Sequence, residues 1–596
     1  MISRFSVVGG LFLIIAGLTQ AARGQDFPAD LPETELAKID VKLAAQGKAV
    51  LEKYCYRCHG VDFKKPGLDV FDRATLIRPK DSKEDPYLVP GDPDKSRLWE
   101  VVDTSYMPPE KQPQPTDDEK QLLRRWIEAG ANFPPADRPK REFVGEETIL
   151  AIIADDLESQ PAADRRFARY FSLTHLWNDP RVSDELMRVY RAGLSKLLNS
   201  LSGQFRIHRP RSVDKEATVL AIDLRDLGWT AADHWNPLLA EYPYGLVRGG
   251  MIAERVYELT DCELPYLRAD WFIRNAARPP LYHTLLDLPT NAAVLEERLG
   301  VDVLSNFEQD RLWRGGFSKS GVSAQNRLVE RHDAKHGAYW KSYDFGSNLD
   351  RANLFRFPLG PTFAGQKNLA AFDHDGGEII FHLPNGLQAY LLIKNDDSRI
   401  DEGPQDIVND PNQFGGTFAI VNGISCMGCH KAGMLQFSDT VRASFKNAGA
   451  GRTAEKVLRL YPAKDVMDGL VEADAERFQK ALESATGPLL RTGKDDKRKL
   501  TAFPEPVTKA ARAYDQALSI EDVARELGLP GDMAKAQELG VPAAGELATV
   551  IRISDVMRRL NLAPLAVGES VPRDVWEQAF GRVARELKLG LPIDFD

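Results

Sequence analysis

"EKYCYRCHG", residues 52–60, places Cys55, Cys58 and His59 within five positions, and "SCMGCHKAG", residues 425–433, repeats the pattern with Cys426, Cys429 and His430. These two pentapeptides use four of the five cysteines in the 596-residue chain. C-x-x-C-H is the attachment signature of c-type haem. Its two thiols add across the porphyrin vinyl groups, and the adjacent histidine binds the iron as proximal ligand. Three rivals fit less well. A tetrahedral zinc site needs four ligands, and contiguous Cys-His seldom turns both side chains to one metal. A thioredoxin-like pair wants a strand before it, whereas "KLAAQGKAVLEKY" ahead of Cys55 has helical periodicity. A plain disulfide gives the histidine no reason to recur.

Working outward, the chain is long enough for two to four folding units. A hydrophobic content of 43% and a charged content of 28% are ordinary for a soluble protein. The formal charge of −10 argues against nucleic acid as a partner and favours a redox partner with a basic docking face. Residues 1–25 read as a signal peptide: Arg4 supplies the positive end, Val7 to Leu18 the apolar run, and Ala21 to Gly24 the small residues before cleavage. The apolar run is short for a membrane span, and no transmembrane segment is expected in the mature chain. The expected location is the periplasm or cell envelope. In that oxidising setting free thiols tend to pair, so cysteines this few and this closely spaced are committed to another use.

After His59, "KKPGLDVF" offers a Pro66-Gly67 turn whose carbonyl suits the second nitrogen of His59. Further on, Met107 stands before Pro108 and Pro109 in a stiff loop, placed to bind iron on the opposite face. Thr116 to Glu119 forms a capping box that opens a helix with Leu122, Leu123, Trp126 and Ile127 on its apolar face. With these motifs in view, residues 44–133 resemble the planctomycete-type cytochrome c domain, through C-x-x-C-H-G, the "PGLDV" turn, "VPGDPDKSRLWEVV", "MPP" and the terminal "RWIEAGA" helix. The resemblance implies a small helical cytochrome c fold over 36–133, with His59 and Met107 as axial ligands and a closed site suited to electron transfer.

"FPPADRPKREF", residues 133–143, reads as a linker. Beyond it a central α+β domain is expected over 144–420. "RRFARYFSLTHLWNDPRVSDELMRVYRAGLSKLLNSLS" has helical spacing, "ATVLAIDLRDLGW" alternates like a strand, and "GGEIIFHLPNGLQAYLLI" reads as a hairpin with Asn385-Gly386 as a type I′ turn. The stretches "SGVSAQNRLVERH", "YWKSYDF" and "NGISCMGCH" resemble the central part of large exported cytochromes carrying the same N-terminal domain, which implies an architecture and no activity. A second haem-binding segment is expected over 421–500 and a C-terminal helical lobe over 501–596. The fold class is therefore mainly α with an α+β centre.

Two covalently bound haems c are expected, through Cys55, Cys58, Cys426 and Cys429, with His59, Met107 and His430 on iron. The ligand opposite His430 is open. His332 and His336 are four apart and read as sharing a helical face, and His382 flanks the hairpin. His374, in an acidic, glycine-flanked turn, is the choice among them. Tyr339, Trp340 and Tyr343 are expected to be core aromatics, and Cys262 an inert buried thiol. The leading function is electron transfer between redox partners. The alternative is a dihaem peroxidase- or oxygenase-like enzyme whose second iron keeps an open face; no catalytic residue stands out for it.

Overall fold

A computed structural model describes residues 41–59, 70, 76–77, 86–110, 112–133, 141–247, 249–363, 368–446, 451–493 and 497–593. Residues 1–25, read from sequence as a signal peptide, and Pro66-Gly67, read as a turn, lie outside the described residues. The chain divides into two compact units, Met1–Tyr56 with Val70–Ala136 and Arg57–Asp69 with Asp137–Asp596.

The first unit is helical. Its outer helices are Val41–Tyr54 and Asp117–Glu128, with Arg97–Asp103 between them in sequence. The Asp117–Glu128 helix opens on the expected capping box: the Thr116 hydroxyl accepts from the Glu119 N–H, and the Glu119 carboxylate accepts from the Thr116 N–H. Leu123, Trp126 and Ile127 are buried and Leu122 is half-buried. Gly47 allows the two helices to meet, because a Cβ there would overlap the Trp126 ring. Lys53 Nζ lies 2.8 Å from Glu119 Oε1, and the Tyr54 hydroxyl donates to Glu119 Oε2 at 2.7 Å.

The second unit holds the strands. β1 (Ala168–Ser172), β2 (Arg211–Ser212), β3 (Val219–Asp223) and β5 (Tyr266–Arg268) form one sheet in the order β2-β3-β1-β5, with β1 antiparallel to β3 and parallel to β5. β4 (Leu246–Val247) pairs with β12 (Leu591–Pro592). The larger sheet is an antiparallel meander of β6 (Trp313–Phe317), β7 (Arg327–Ala334), β8 (Gly337–Asp344), β9 (Gly376–His382), β10 (Gln388–Lys394) and β11 (Arg399–Ile400), each beside its neighbour in the chain.

Helix Asp184–Ser200 receives helices Lys464–Leu490 and Pro506–Tyr514 on its surface. Ser195 Oγ donates to the Ala485 carbonyl at 2.8 Å, and Lys196 Nζ lies 2.7 Å from Glu505 Oε1 with both side chains buried. The divisions expected near 420 and 500 thus fall inside one unit. Helix predominates overall, and the strands lie between Ala168 and Ile400 apart from the short β12. Among the described residues no helix is long and apolar enough to cross a membrane.

Three local expectations are corrected. The helical reading of residues 165–202 holds for Thr174–Trp177 and Asp184–Ser200, but Ala168–Ser172 is a strand with all five residues buried. A run buried on both sides carries no period of two, so spacing could not separate it from helix. "VERHDAKHGAYW" is not a helix but the β7–β8 hairpin, with His332 on β7 and His336 in its turn. The β9–β10 hairpin forms as expected, yet its turn is not type I′. The Gly386 N–H donates to the Leu383 carbonyl, and of Asn385 and Gly386 only the glycine has positive φ. Pro384 at the second turn position holds φ negative.

Candidate functional site

In the first motif, the chain leaves helix Val41–Tyr54 and makes one further turn, Tyr56–His59. The Cys55 N–H donates to the Leu51 carbonyl at 2.9 Å, and Cys55 and His59 are half-buried. The side chain of Cys58 lies outside the described residues. In the first unit Met107 is half-buried, and its N–H donates to the Val101 carbonyl at 2.8 Å. The next peptide, Met107–Pro108, is cis, and Gln114 Nε2 donates to the Pro108 carbonyl at 2.7 Å. The loop is therefore pinned on both sides of the methionine.

In the second motif, Cys426 and Cys429 lie on helix Ile424–Cys429, with His430 at its C-cap. Neither cysteine is in a disulfide. Gly428 fits because the Phe414 ring occupies the space a Cβ would take. Phe414 is held by its N–H, which donates to Asp410 Oδ2 at 2.7 Å. Burial pushes the Cys426 thiol well above its ordinary pKa, with Glu378 adding to it, and burial raises Cys429 to about 12. Burial also lowers the pKa of His430. The His430 Nδ1 lies 3.3 Å from the Gly433 carbonyl oxygen, and Nε2 lies 3.9 Å from Glu378 Oε2. The Tyr390 ring is 6.2 Å from the imidazole, centre to centre.

The chemistry of this donor set suits a c-type haem. The two thiols lie one helical turn apart, with the imidazole directly after the second. Its Nδ1 is turned to a backbone carbonyl, which leaves Nε2 as the ligating nitrogen. Among the described residues, no three His, Cys, Asp or Glu side chains converge as a site for a bare metal ion.

Sheet register decides what else reaches the motif. Arg327 pairs with Asp344 across β7 and β8, and Tyr390 and Leu392 on β10 pair with Ile380 and Glu378 on β9. Arg327, Asp344, Glu378 and Tyr390 therefore share one face, the face against His430. Lys341 and Tyr343 point to the other. His374 sits with them: its ring packs on Tyr343 at 5.0 Å and on Phe372 at 6.2 Å. It lines a cavity of about 540 Å³ with Lys341, Tyr343, Glu296 and Asp397. Its Nε2 is buried with no hydrogen-bond partner, and burial lowers its pKa to about 4. The structure does not bring His374 and His430 together.

Of the other candidate histidines, His332 and His382 are held in hydrogen bonds, and His336 packs edge-on against the Phe205 ring at 5.7 Å. His332 lies between Glu330, at 2.8 Å from Nε2, and Asn306, at 3.1 Å from Nδ1. His382 Nδ1 accepts from the Ala338 N–H, and its Nε2 faces the Asp474 carbonyl. The three aromatics are buried and anchored: Tyr339 to Glu296, Trp340 to Asp474 and Tyr343 to Glu330. Cys262 is half-buried, and burial raises its thiol pKa. Glu378 and Arg327 were missed from sequence because only the long-range strand pairing carries them to the motif.

C-x-x-C-H in the turn after helix Val41–Tyr54, followed along the chain by a methionine on a pinned loop and a capped helix, is the sequence order of a cytochrome c-like domain, a class that suggests haem-based electron transfer. Within that class, residues 55–111 match the family model described as Planctomycete cytochrome C, PSCyt1. The match spans the first motif and Met107 and stops far short of the second motif. No curated relative and no solved structure matches the chain.

Proposed function

We propose that this chain is an exported dihaem c-type cytochrome that carries electrons between redox partners. One haem is joined to Cys55 and Cys58 with His59 and Met107 on iron, and the other to Cys426 and Cys429 with His430 on iron. The observation that carries the second site is the imidazole of His430, whose Nδ1 faces the Gly433 carbonyl at 3.3 Å directly after a helical turn bearing both thiols. The haem supplies a one-electron iron couple when bound. The residues do the rest. Cys426 and Cys429 anchor, the Gly433 carbonyl holds the Nδ1–H tautomer and raises the basicity of Nε2, and burial keeps water from the ligand. Export by the N-terminal segment places the protein in the periplasm or cell envelope, and the net charge of −10 favours a partner with a basic docking face.

The test is haem counting by intact mass, with Cys426→Ser plus Cys429→Ser beside the unaltered chain. Two haems falling to one support the reading, and an unchanged count refutes it. Absorption and electron paramagnetic resonance under carbon monoxide then separate function. Two low-spin haems that ignore carbon monoxide are an electron carrier's signature. A high-spin haem that binds it would replace the carrier reading with an open-faced oxidoreductase.

A further inference from the structure

The side chains of Lys341 and Tyr343 leave β8 on the side of the larger sheet away from His430 and line a cavity of about 540 Å³, a size ordinary for small-molecule sites. Four carboxylates line it with them. Glu296 and Glu297 come from helix Ala292–Leu299, Asp302 from the cap of helix Val303–Glu308, and Asp397 from the turn between β10 and β11. Lys341 is already committed. Its Nζ lies 3.1 Å from Glu296 Oε1 and 2.7 Å from Asp397 Oδ1, and its side chain is only 5% exposed. Its charge is matched by those two carboxylates, and Glu297 and Asp302 stand outside the triad. An anion entering here would meet an acidic wall without a free partner.

His374 makes a second, independent observation. It is 9% exposed, it lines the same cavity, and its Nε2 is buried without a hydrogen-bond partner. Tyr343 and Phe372 hold the ring edge-on at 5.0 and 6.2 Å. Burial, then the Lys341 ammonium, favours the uncharged ring. Buried polar atoms in folded proteins nearly always have partners, and a neutral imidazole presents one bare nitrogen as an acceptor. The cavity therefore lacks a donor, and a cationic N–H is the donor that the carboxylates also attract. Among the described residues no three His, Cys, Asp or Glu side chains converge on a bare metal ion. Phe363, Val303 and Leu304 join Tyr343 in lining the cavity with apolar surface. We propose that this cavity binds a small organic cation, an ammonium group carried on a compact apolar body. Neither C-x-x-C-H motif lines the cavity, so the inference stands whatever those motifs carry.

The experiment is isothermal titration calorimetry of the full chain with benzylamine, which is protonated at neutral pH, beside benzyl alcohol and benzoate. These keep the ring and replace the ammonium with a neutral or an anionic group. The expected result is that benzylamine binds, with an affinity that falls as sodium chloride is added, and that the other two bind at least about tenfold more weakly. Two variants locate the ligand. His374→Leu removes the unpaired nitrogen and should weaken benzylamine about tenfold. Glu297→Gln plus Asp302→Asn removes charge from two exposed side chains while asparagine still caps the helix. It should weaken benzylamine about threefold to tenfold and leave benzyl alcohol unmoved. Equal affinity for the three compounds, a preference for benzoate, or no binding of benzylamine overturns the inference. So does benzylamine that binds the parent and both variants alike, which would put it elsewhere on the chain. Should His374→Leu fail to fold by circular dichroism, the exposed pair decides alone.

Discussion

Gly428 is one of the two residues between Cys426 and Cys429, a position that thioether chemistry leaves free. Helix propensity favours alanine there by about 1 kcal/mol. The packing reverses that preference. A Cβ on Gly428 would overlap the Phe414 ring, which is held by Asp410 and lies under the Arg512 guanidinium at 5.1 Å. Overpacking of this kind costs about 1–3 kcal/mol. Set against the propensity gain, Gly428→Ala should destabilise the second unit by up to about 2 kcal/mol. In a Phe414→Ala background the obstruction is gone, and the same substitution should stabilise by up to about 1 kcal/mol. The assay is urea unfolding followed by circular dichroism on the four chains of the cycle, compared at equal m values. The signature is a change of sign. Equal effects in the two backgrounds would refute the steric account.

Thr116→Ala removes the hydroxyl that accepts from the Glu119 N–H, while the bond from the residue-116 backbone N–H to the Glu119 carboxylate stays, and it should cost the first unit about 1 kcal/mol in a thermal melt. Glu330 is fully buried against Arg314 Nε at 2.6 Å and also accepts from Tyr343. Glu330→Gln breaks that pair and should cost about 3–5 kcal/mol in denaturant, while a loss below 1 kcal/mol would show the pair to be dispensable. His283 Nε2 accepts from Asn422 Nδ2 at 2.7 Å, and burial, then Arg399, holds its pKa down to about 4. The unfolded chain takes up this proton near the ordinary value of 6.5 and the folded chain only near 4, so stability present above 6.5 is lost as pH falls towards 4. His283→Gln keeps an acceptor without the titration, and its urea midpoint should fall less between pH 7 and pH 5 than the parent's.

What could be read from the sequence was local chemistry. C-x-x-C-H, the Thr116–Glu119 box and the β9–β10 hairpin each depend on residues within a few positions of one another, so their spacing carries the signal. The site around His430 depends on pairing across distant strands. Glu378 and Arg327 are 51 positions apart by their numbers, and they meet because β7, β8 and β9 lie side by side in one register. His374 shows the converse. It is close to the hairpin in sequence, but alternation along a strand decides which side of the sheet a residue serves, and His374 keeps company with Tyr343 rather than Glu378. His332 and His336 matched a helical spacing that the partner strand overrode. Ala168–Ser172 is buried throughout, and a buried run advertises neither period.

Cys426 is only 2% exposed, and helix Pro506–Tyr514, which packs on the helix carrying it, comes later in the chain. That ordering sets a schedule for the protein's manufacture. A thiol at this depth meets a reagent while the chain is open and is shut away once the later helix docks. A haem joined to Cys426, as proposed above, would have to arrive before that helix docks, and the finished fold would keep a record of whether it came in time.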